Sequence, residues 1–196
     1  MIELWIPITI LAAFSQNLRS ALQKHLKSRL STAGATYVRF FYAIPFALLY
    51  LVILNQVFEL PLPQPNANFI GFGIIGGATQ IIATALLVYL FSFRNFAVGT
   101  AYSKTETAQT AVFGLIILGD PLTPGAIIGI MISLVGVMAI STARQEGGLK
   151  NILQSLSQKT ALIGLASGAM FGISAISYRA ASLSLGGDGV LIQAAY

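Results

Sequence analysis

Lys104 and Glu106 stand in the middle of Ala97–Leu118, a segment otherwise long and apolar enough to cross a bilayer. An ionised side chain at that depth costs about 2.5–3.5 kcal/mol, so such residues face a bundle interior or a water-filled cavity. Two positions apart on a helix point ~200° away from each other, so the two charges do not pair. Each needs its own partner: Arg19 or a substrate carboxylate for one, Arg39 or a proton for the other. Tyr102, Ser103, Thr105, Thr107, Gln109 and Thr110 make this the most polar of the apolar segments. The chemistry on offer is binding of a substrate or a proton inside the membrane. The competing reading is that both charges simply bridge neighbouring helices.

Other polar side chains in apolar surroundings extend the candidate set. Gln16, Asn17 and Arg19 form a polar patch in the first apolar segment, although Arg19 can equally snorkel to the basic edge it shares with Lys24. Arg39 lies about a turn and a half inside the second segment and is read as a helix-bridging structural residue. Tyr42 and Gln80 are further binding candidates, with Tyr102 and Gln109 beside the charged pair. A metal centre and a disulfide framework are excluded by the absence of Cys and the single His25, which is assigned to a loop. No nucleophile–base constellation exists, so neither an enzyme nor a cofactor is expected. The basic residues are dispersed and form no stripe with aromatics, which sets nucleic acid aside. Gly71–Gly77 has no Lys-Ser/Thr after it and cradles no phosphate.

The elements that must position these residues follow from the gaps between charges. Leu60–Phe93 runs 34 residues without Asp, Glu, Lys or Arg, and Leu4–Leu18, Phe40–Phe58, Pro121–Ala143 and Thr160–Tyr178 are also charge-free. A helix needs about 20 apolar residues to span a bilayer core. Only 9% of the chain is charged and 56% is hydrophobic, against roughly 25% charged in soluble domains. The spacing predicts an all-α, polytopic membrane bundle with the lipid bilayer as its main partner. Six spans are placed: Leu4–Gln23, Gly34–Leu54, Asn68–Phe93, Ala97–Leu118, Thr123–Thr142 and Thr160–Ala181. The first is a retained helix, because the N-terminus lacks the basic start of a signal peptide. Pro61, Pro63 and Pro65 mark a surface loop, and Gly119-Asp120-Pro121-Leu122-Thr123 a tight turn. Val190–Tyr196 reads as the start of a seventh span that breaks off, so a longer native chain is expected.

Orientation follows from the basic residues. Lys24, Lys27, Arg29, Arg94, Arg144, Lys150 and Lys159 lie in connectors on one side; Met1–Glu3, Asn55–Ala67 and Gly119–Leu122 hold none. Arg179 is the dissenting charge. The positive-inside rule therefore places the N-terminus outside. Small residues recur every fourth position in Gly73/Gly77, Gly125/Gly129/Ser133 and Gly164/Gly168/Gly172, with Gly136 beyond, and are read as packing faces.

Ala97–Ser141 (AVGTAYSKTETAQTAVFGLIILGDPLTPGAIIGIMISLVGVMAIS) resembles the end of an EamA repeat of the drug/metabolite transporter superfamily. Leu118-Gly119-Asp120-Pro121-Leu122-Thr123 is similar to that family's LGE-x-LT turn, with Asp120 in place of Glu. Gly129, Ser133, Gly136 and Val137 follow its "iG…li..GV" spacing. Phe14-Ser15-Gln16-Asn17 and Arg39-Phe40 resemble stretches of its first and second helices. The resemblance implies ten helices in two inverted five-helix repeats with substrate bound between them. Residues 1–143 would form the first repeat, 144–159 a linker and 160–196 the start of the second. The missing second half of the chain, or a homodimer mate, then becomes an expected partner. The resemblance further implies a multi-pass permease or exporter of the plasma or inner membrane. It would move amino acids, metabolites or drugs by alternating access, with protons as a candidate coupling ion. A non-transporting membrane subunit or assembly factor is the alternative. Family members commonly keep the N-terminus in the cytoplasm, and the charge count here departs from that.

Overall fold

A computed structural model of the protein describes residues 5–93, 96–143, 159–186, 193, 195 and 196. These residues form helices and connectors, with no strand among them. Helix α1 spans Trp5–Lys27. His25, expected in a loop, falls in its last turn. Ser31 caps α2, Thr32–Phe41, by accepting the Gly34 N–H at 3.1 Å. Helix α3, Ile44–Gln56, follows after a kink at Tyr42–Ala43. Pro45 supplies the cause: it has no N–H and its ring clashes with the carbonyl four residues back, that of Phe41. The expected second span is therefore a bent pair.

Helix α4, Ala67–Leu90, is capped by Asn66, whose side chain accepts the Phe69 N–H at 2.8 Å. Helices α5, Phe96–Ser103, and α6, Glu106–Phe113, occupy the fourth expected span. A π-turn, Gly114–Leu118, extends α6 and ends at Gly119, whose φ of +69° lies in the left-handed region that favours glycine. Helix α7, Pro124–Ala143, starts with Thr123 Oγ1 accepting the Ala126 N–H at 3.2 Å. Helix α8, Lys159–Ser184, completes the set.

Among the described residues three helical stretches are long and apolar enough to cross a membrane: Thr32–Gln56, Ala67–Leu90 and Lys159–Ser184. Of the other three expected spans, the fourth is split, the first is diluted by Gln16, Asn17 and Arg19, and the fifth counts among the described residues only as the shorter apolar helix Pro124–Val137. Helix α8 is the core element, with half of its apolar window buried against 6% for Thr32–Gln56. It packs along α4 and lies against both α5 and α6. Two buried hydroxyls fix the α4 side: Ser167 Oγ donates to the Ala83 carbonyl and Ser174 Oγ to that of Gly76, each at 2.9 Å. In lipid such interhelical bonds replace the hydrophobic drive that lipid removes. Phe14 and Ile10 of α1, Phe46 of α3 and Ile132 of α7 point outward, as lipid-facing residues do.

Each glycine ladder behaves differently. A Cβ on Gly168 would lie 2.9 Å from the Ser103 carbonyl oxygen, and one on Gly172 3.1 Å from the Phe113 ring. Gly164 is buried on the same helix. In α4 the tight position is Gly76, 3.0 Å from the Tyr178 ring, whereas Gly73 has nothing within 4 Å. Gly125, Gly129 and Gly136 of α7 likewise meet no described neighbour. Residues 144–158, which hold most of the expected linker, Arg94, and residues 187–192, which include the start of the expected seventh span, lie outside the described residues.

Gln23 of α1 was not singled out by the sequence. It is 4% exposed, and neither Nε2 nor Oε1 has a hydrogen-bond partner among the described residues. An unsatisfied buried amide costs about 1–3 kcal/mol. Gln23→Met keeps the length and removes both polar atoms, so it is expected to stabilise the protein by about 1 kcal/mol. Thermal unfolding in detergent measures this; a clear drop in Tm would contradict it.

Candidate functional site

The fourth span is broken where its charges sit. Lys104 N–H donates to the Ala101 carbonyl at 3.0 Å and Thr105 N–H to that of Tyr102 at 3.1 Å, three residues back instead of four. Ser103 Oγ and Thr105 Oγ1 donate to the Thr100 and Tyr102 carbonyls at 2.8 and 2.7 Å. Ser103 Oγ thus supplies a partner at the Thr100 carbonyl, which loses the Lys104 N–H to Ala101, and Thr105 Oγ1 adds a second donor at Tyr102, so the tightened turn leaves neither carbonyl unpaired. Gln109 Nε2 donates to Thr105 Oγ1 at 2.9 Å and steadies the second half-helix. Gly168 lets α8 approach the break: a Cβ there would also lie 3.3 Å from the Glu106 nitrogen. The polar side chains Ser103 and Thr105 were legible as polarity, not as the cause of a discontinuity.

A cavity of about 220 Å³ lies beside the break. Helix α1 gives it Asn17, Ser20, Ala21 and Lys24, positions three, four and seven apart that share one helix face. Thr100, Ser103 and Lys104 line the opposite side, and Leu87 of α4 and Phe91 just past its end supply an apolar wall. Lys24 and Phe91 belong to the ends of α1 and α4, so the cavity sits toward that end of the bundle. Of the candidate binding residues, Asn17 and Lys104 line it.

Glu106 does not line this cavity. It is half-buried at the first position of α6, where the helix dipole favours a carboxylate. Lys104, Arg19 and Arg39 all lie within its electrostatic reach. Among the described residues it forms no ion pair within 4 Å. Arg39 is held instead by Thr84, to whose Oγ1 its Nη1 donates at 2.7 Å. Its guanidinium lies 5.2 Å from the Phe40 ring centroid and 5.9 Å from that of Phe171. It therefore ties α2 to α4 and α8.

The other candidates are dispersed. Tyr102 is buried against Ala161 and Leu165. Gln109 Oε1 is buried with no partner among the described residues. Gln80 is half-buried on α4, Gln16 is exposed on α1, and Tyr42 is exposed at the kink, edge-on to Phe41.

Asp120 and Arg179 form a two-pronged ion pair at the end of the bundle away from the cavity, with Nη2 to Oδ1 at 3.1 Å. The pairing accounts for Arg179 on the side otherwise free of Lys and Arg: its charge is neutralised. At the same end Asn66 Nδ2 donates to the Ser184 carbonyl at 2.6 Å. No acid in the turn could have revealed this partner by spacing, since the two residues are 59 positions apart.

A model of the EamA-like transporter family matches residues 3–142. No curated protein and no solved structure matches the chain. The matched stretch runs from the polar face of α1 through both half-helices to α7, and on that ground the chain belongs to the EamA-like transporter family.

Proposed function

We propose that the protein is a secondary carrier that moves small organic molecules across the cell membrane by alternating access, with proton coupling through Glu106. The observation that carries this reading is the broken fourth span, which sets Lys104 on a cavity facing the polar stripe of α1. Discontinuous helices at a midplane site are a recurring device of secondary transporters. The cavity lies toward the end where α1 and α4 terminate, while Asp120–Arg179 and Asn66–Ser184 tie the other end. In this reading residues 1–143 form one five-helix repeat, joined by 144–159 to the start of an inverted second one.

The test is uptake of a panel of amino acids, organic acids and cationic drugs into sealed vesicles containing the full-length protein, with and without an imposed pH gradient. Saturable uptake of at least one class supports the carrier. No uptake above protein-free vesicles for any class would overturn it. A second reading, a non-transporting membrane subunit, is favoured by one observation: Glu106 and most other polar candidates lie off the cavity.

The carrier is oriented with its N-terminus outside, from the seven-to-zero imbalance of basic connector residues. The chain has no Cys, so single cysteines report cleanly. With an impermeant thiol reagent, Gln64→Cys is expected to label in intact cells and Ser28→Cys only after permeabilisation. The reverse pattern would invert the topology.

A further inference from the structure

The seam between the second half of the broken span and α8 is smooth along its length and charged at its end. Gly168 of α8 meets the break, and Gly172 meets Thr110 and Phe113 of α6. Further along, a Cβ on Gly114 of the π-turn would lie 3.3 Å from Ile176 Cδ1. Small residues let the backbones approach closely with few interlocking side chains, a seam along which packed helices can slide. Beyond Gly114 the contact changes character, because Arg179 holds the Asp120 carboxylate with both terminal guanidinium nitrogens. The Asp120 N–H donates to the Gly114 carbonyl at 3.2 Å, and the Gly119 N–H donates to it as well. Asp120 is thus fixed to the end of a helical rod that begins at Glu106, about 20 Å away along the axis. A displacement of α6 at the break is carried to the ion pair.

We propose that the Asp120–Arg179 pair is a latch that holds the end of the bundle opposite the cavity closed and releases as the carrier turns its site to that side. The exposure of the pair suits a contact that must break repeatedly. The Arg179 and Asp120 side chains remain 54% and 32% exposed, and losing such a pair shifts an equilibrium by about fivefold or less. Stripping one partner from a fully buried pair would shift it by hundreds of fold or more and hold the bundle in one state. Asn66 provides the fixed side of the same end: its Oδ1 caps α4 while its Nδ2 donates to the Ser184 carbonyl at 2.6 Å. The last turns of α8 are therefore tied at two places, to the start of α4 and to the turn after the broken span. The inference deepens the carrier reading and rests on it for the purpose of opening, but the latch is read by access and not by transport.

Ser177 is 6% exposed on α8, two residues before Arg179, and Ser177→Cys places a thiol there in the Cys-free chain. The full-length protein in sealed vesicles is treated with an impermeant thiol reagent from the side of Gln64. Asp120→Asn and Arg179→Gln are each expected to speed labelling of position 177 about fivefold. Asp120→Glu keeps the carboxylate and should stay near the wild-type rate. In a parallel Asn17→Cys background, labelling from the side of Ser28 should not accelerate in either variant. Arg179, the more exposed partner, supplies the decisive variant if Asp120→Asn does not fold. Unchanged labelling at 177 would overturn the latch. So would equal acceleration by Asp120→Glu, or acceleration at 17 as well, which marks general loosening. Faster labelling at 177 without uptake of any solute by the vesicles would keep the latch and overturn the carrier. Solute uptake with unchanged labelling at 177 would do the opposite.

Discussion

Glu106→Gln is expected to abolish pH-gradient-driven accumulation while leaving expression, folding and substrate exchange intact. The substitution preserves size and most hydrogen-bonding capacity but cannot hold and release a proton. Glu106 sits at the start of α6, half-buried, with three cations in electrostatic reach and no direct ion pair among the described residues. A carboxylate so placed is free to exchange its proton for a ligand charge as the two access states interconvert. One pH unit corresponds to about 1.4 kcal/mol, enough for about tenfold accumulation at one proton per substrate. The variant should fall to no accumulation, and counterflow of labelled substrate should persist. Normal accumulation would make Glu106 structural. Failure to fold would instead mark it as a buried counter-charge whose loss strands its cationic neighbours.

Gly168→Leu is expected to prevent α8 from docking on the broken span and so to remove folded protein from the membrane. Even Gly168→Ala should cost about 1–3 kcal/mol, the range for overpacking. A Cβ at that position meets backbone, the Ser103 carbonyl oxygen at 2.9 Å, and backbone at a helix break cannot swing aside as a side chain would. Gly129→Ala is the matched control, because nothing lies within 4 Å of its Cβ. It should be neutral, or gain up to about 1 kcal/mol from helix propensity. Detergent-solubilised thermal unfolding of the three variants decides the matter. Equal effects at Gly168 and Gly129 would refute the packing account.

The helical architecture was legible because lipid imposes a coarse rule: apolar length and charge gaps. That rule located each apolar segment within a few residues of its helix. It could not see the break at Lys104–Thr105, because Ala97–Leu118 keeps the length and hydropathy of a continuous span. The break depends on Ser103 and Thr105 bonding back to carbonyls and on Gly168 approaching from a distant helix, and neither follows from periodicity. The same limit applies to the glycines. Spacing by four marks a small-residue face, as in Gly125 and Gly129, but not whether anything packs on it. Gly76, which breaks that spacing, makes the closer contact because Tyr178 happens to lie over it.

Polarity at depth in an apolar segment points to Asn17 and Lys104, and both line the cavity. It missed Ser20, Lys24 and Thr100, which the cavity also uses. Lys24 had been assigned to the basic membrane edge, and the facing register of α1 and α5 is a tertiary fact. The kink at Pro45 was available in the sequence through the missing N–H. The expected span ran through it because its apolar length dominated.

The proposed carrier requires that α1 and the broken span line a water-accessible path within the membrane. Single cysteines at Asn17 and Ser20, on the cavity face, can be compared with cysteines at Leu11 and Ile132, which are exposed on the bundle's apolar surface. The full-length protein is reconstituted in vesicles and treated with an impermeant thiol reagent from the side of Ser28. Labelling at positions 17 and 20, slowed by a transported solute, with little at 11 and 132, is the predicted result. Labelling at 11 and 132 equal to that at 17 and 20, or none at 17 and 20 from either side, would contradict it.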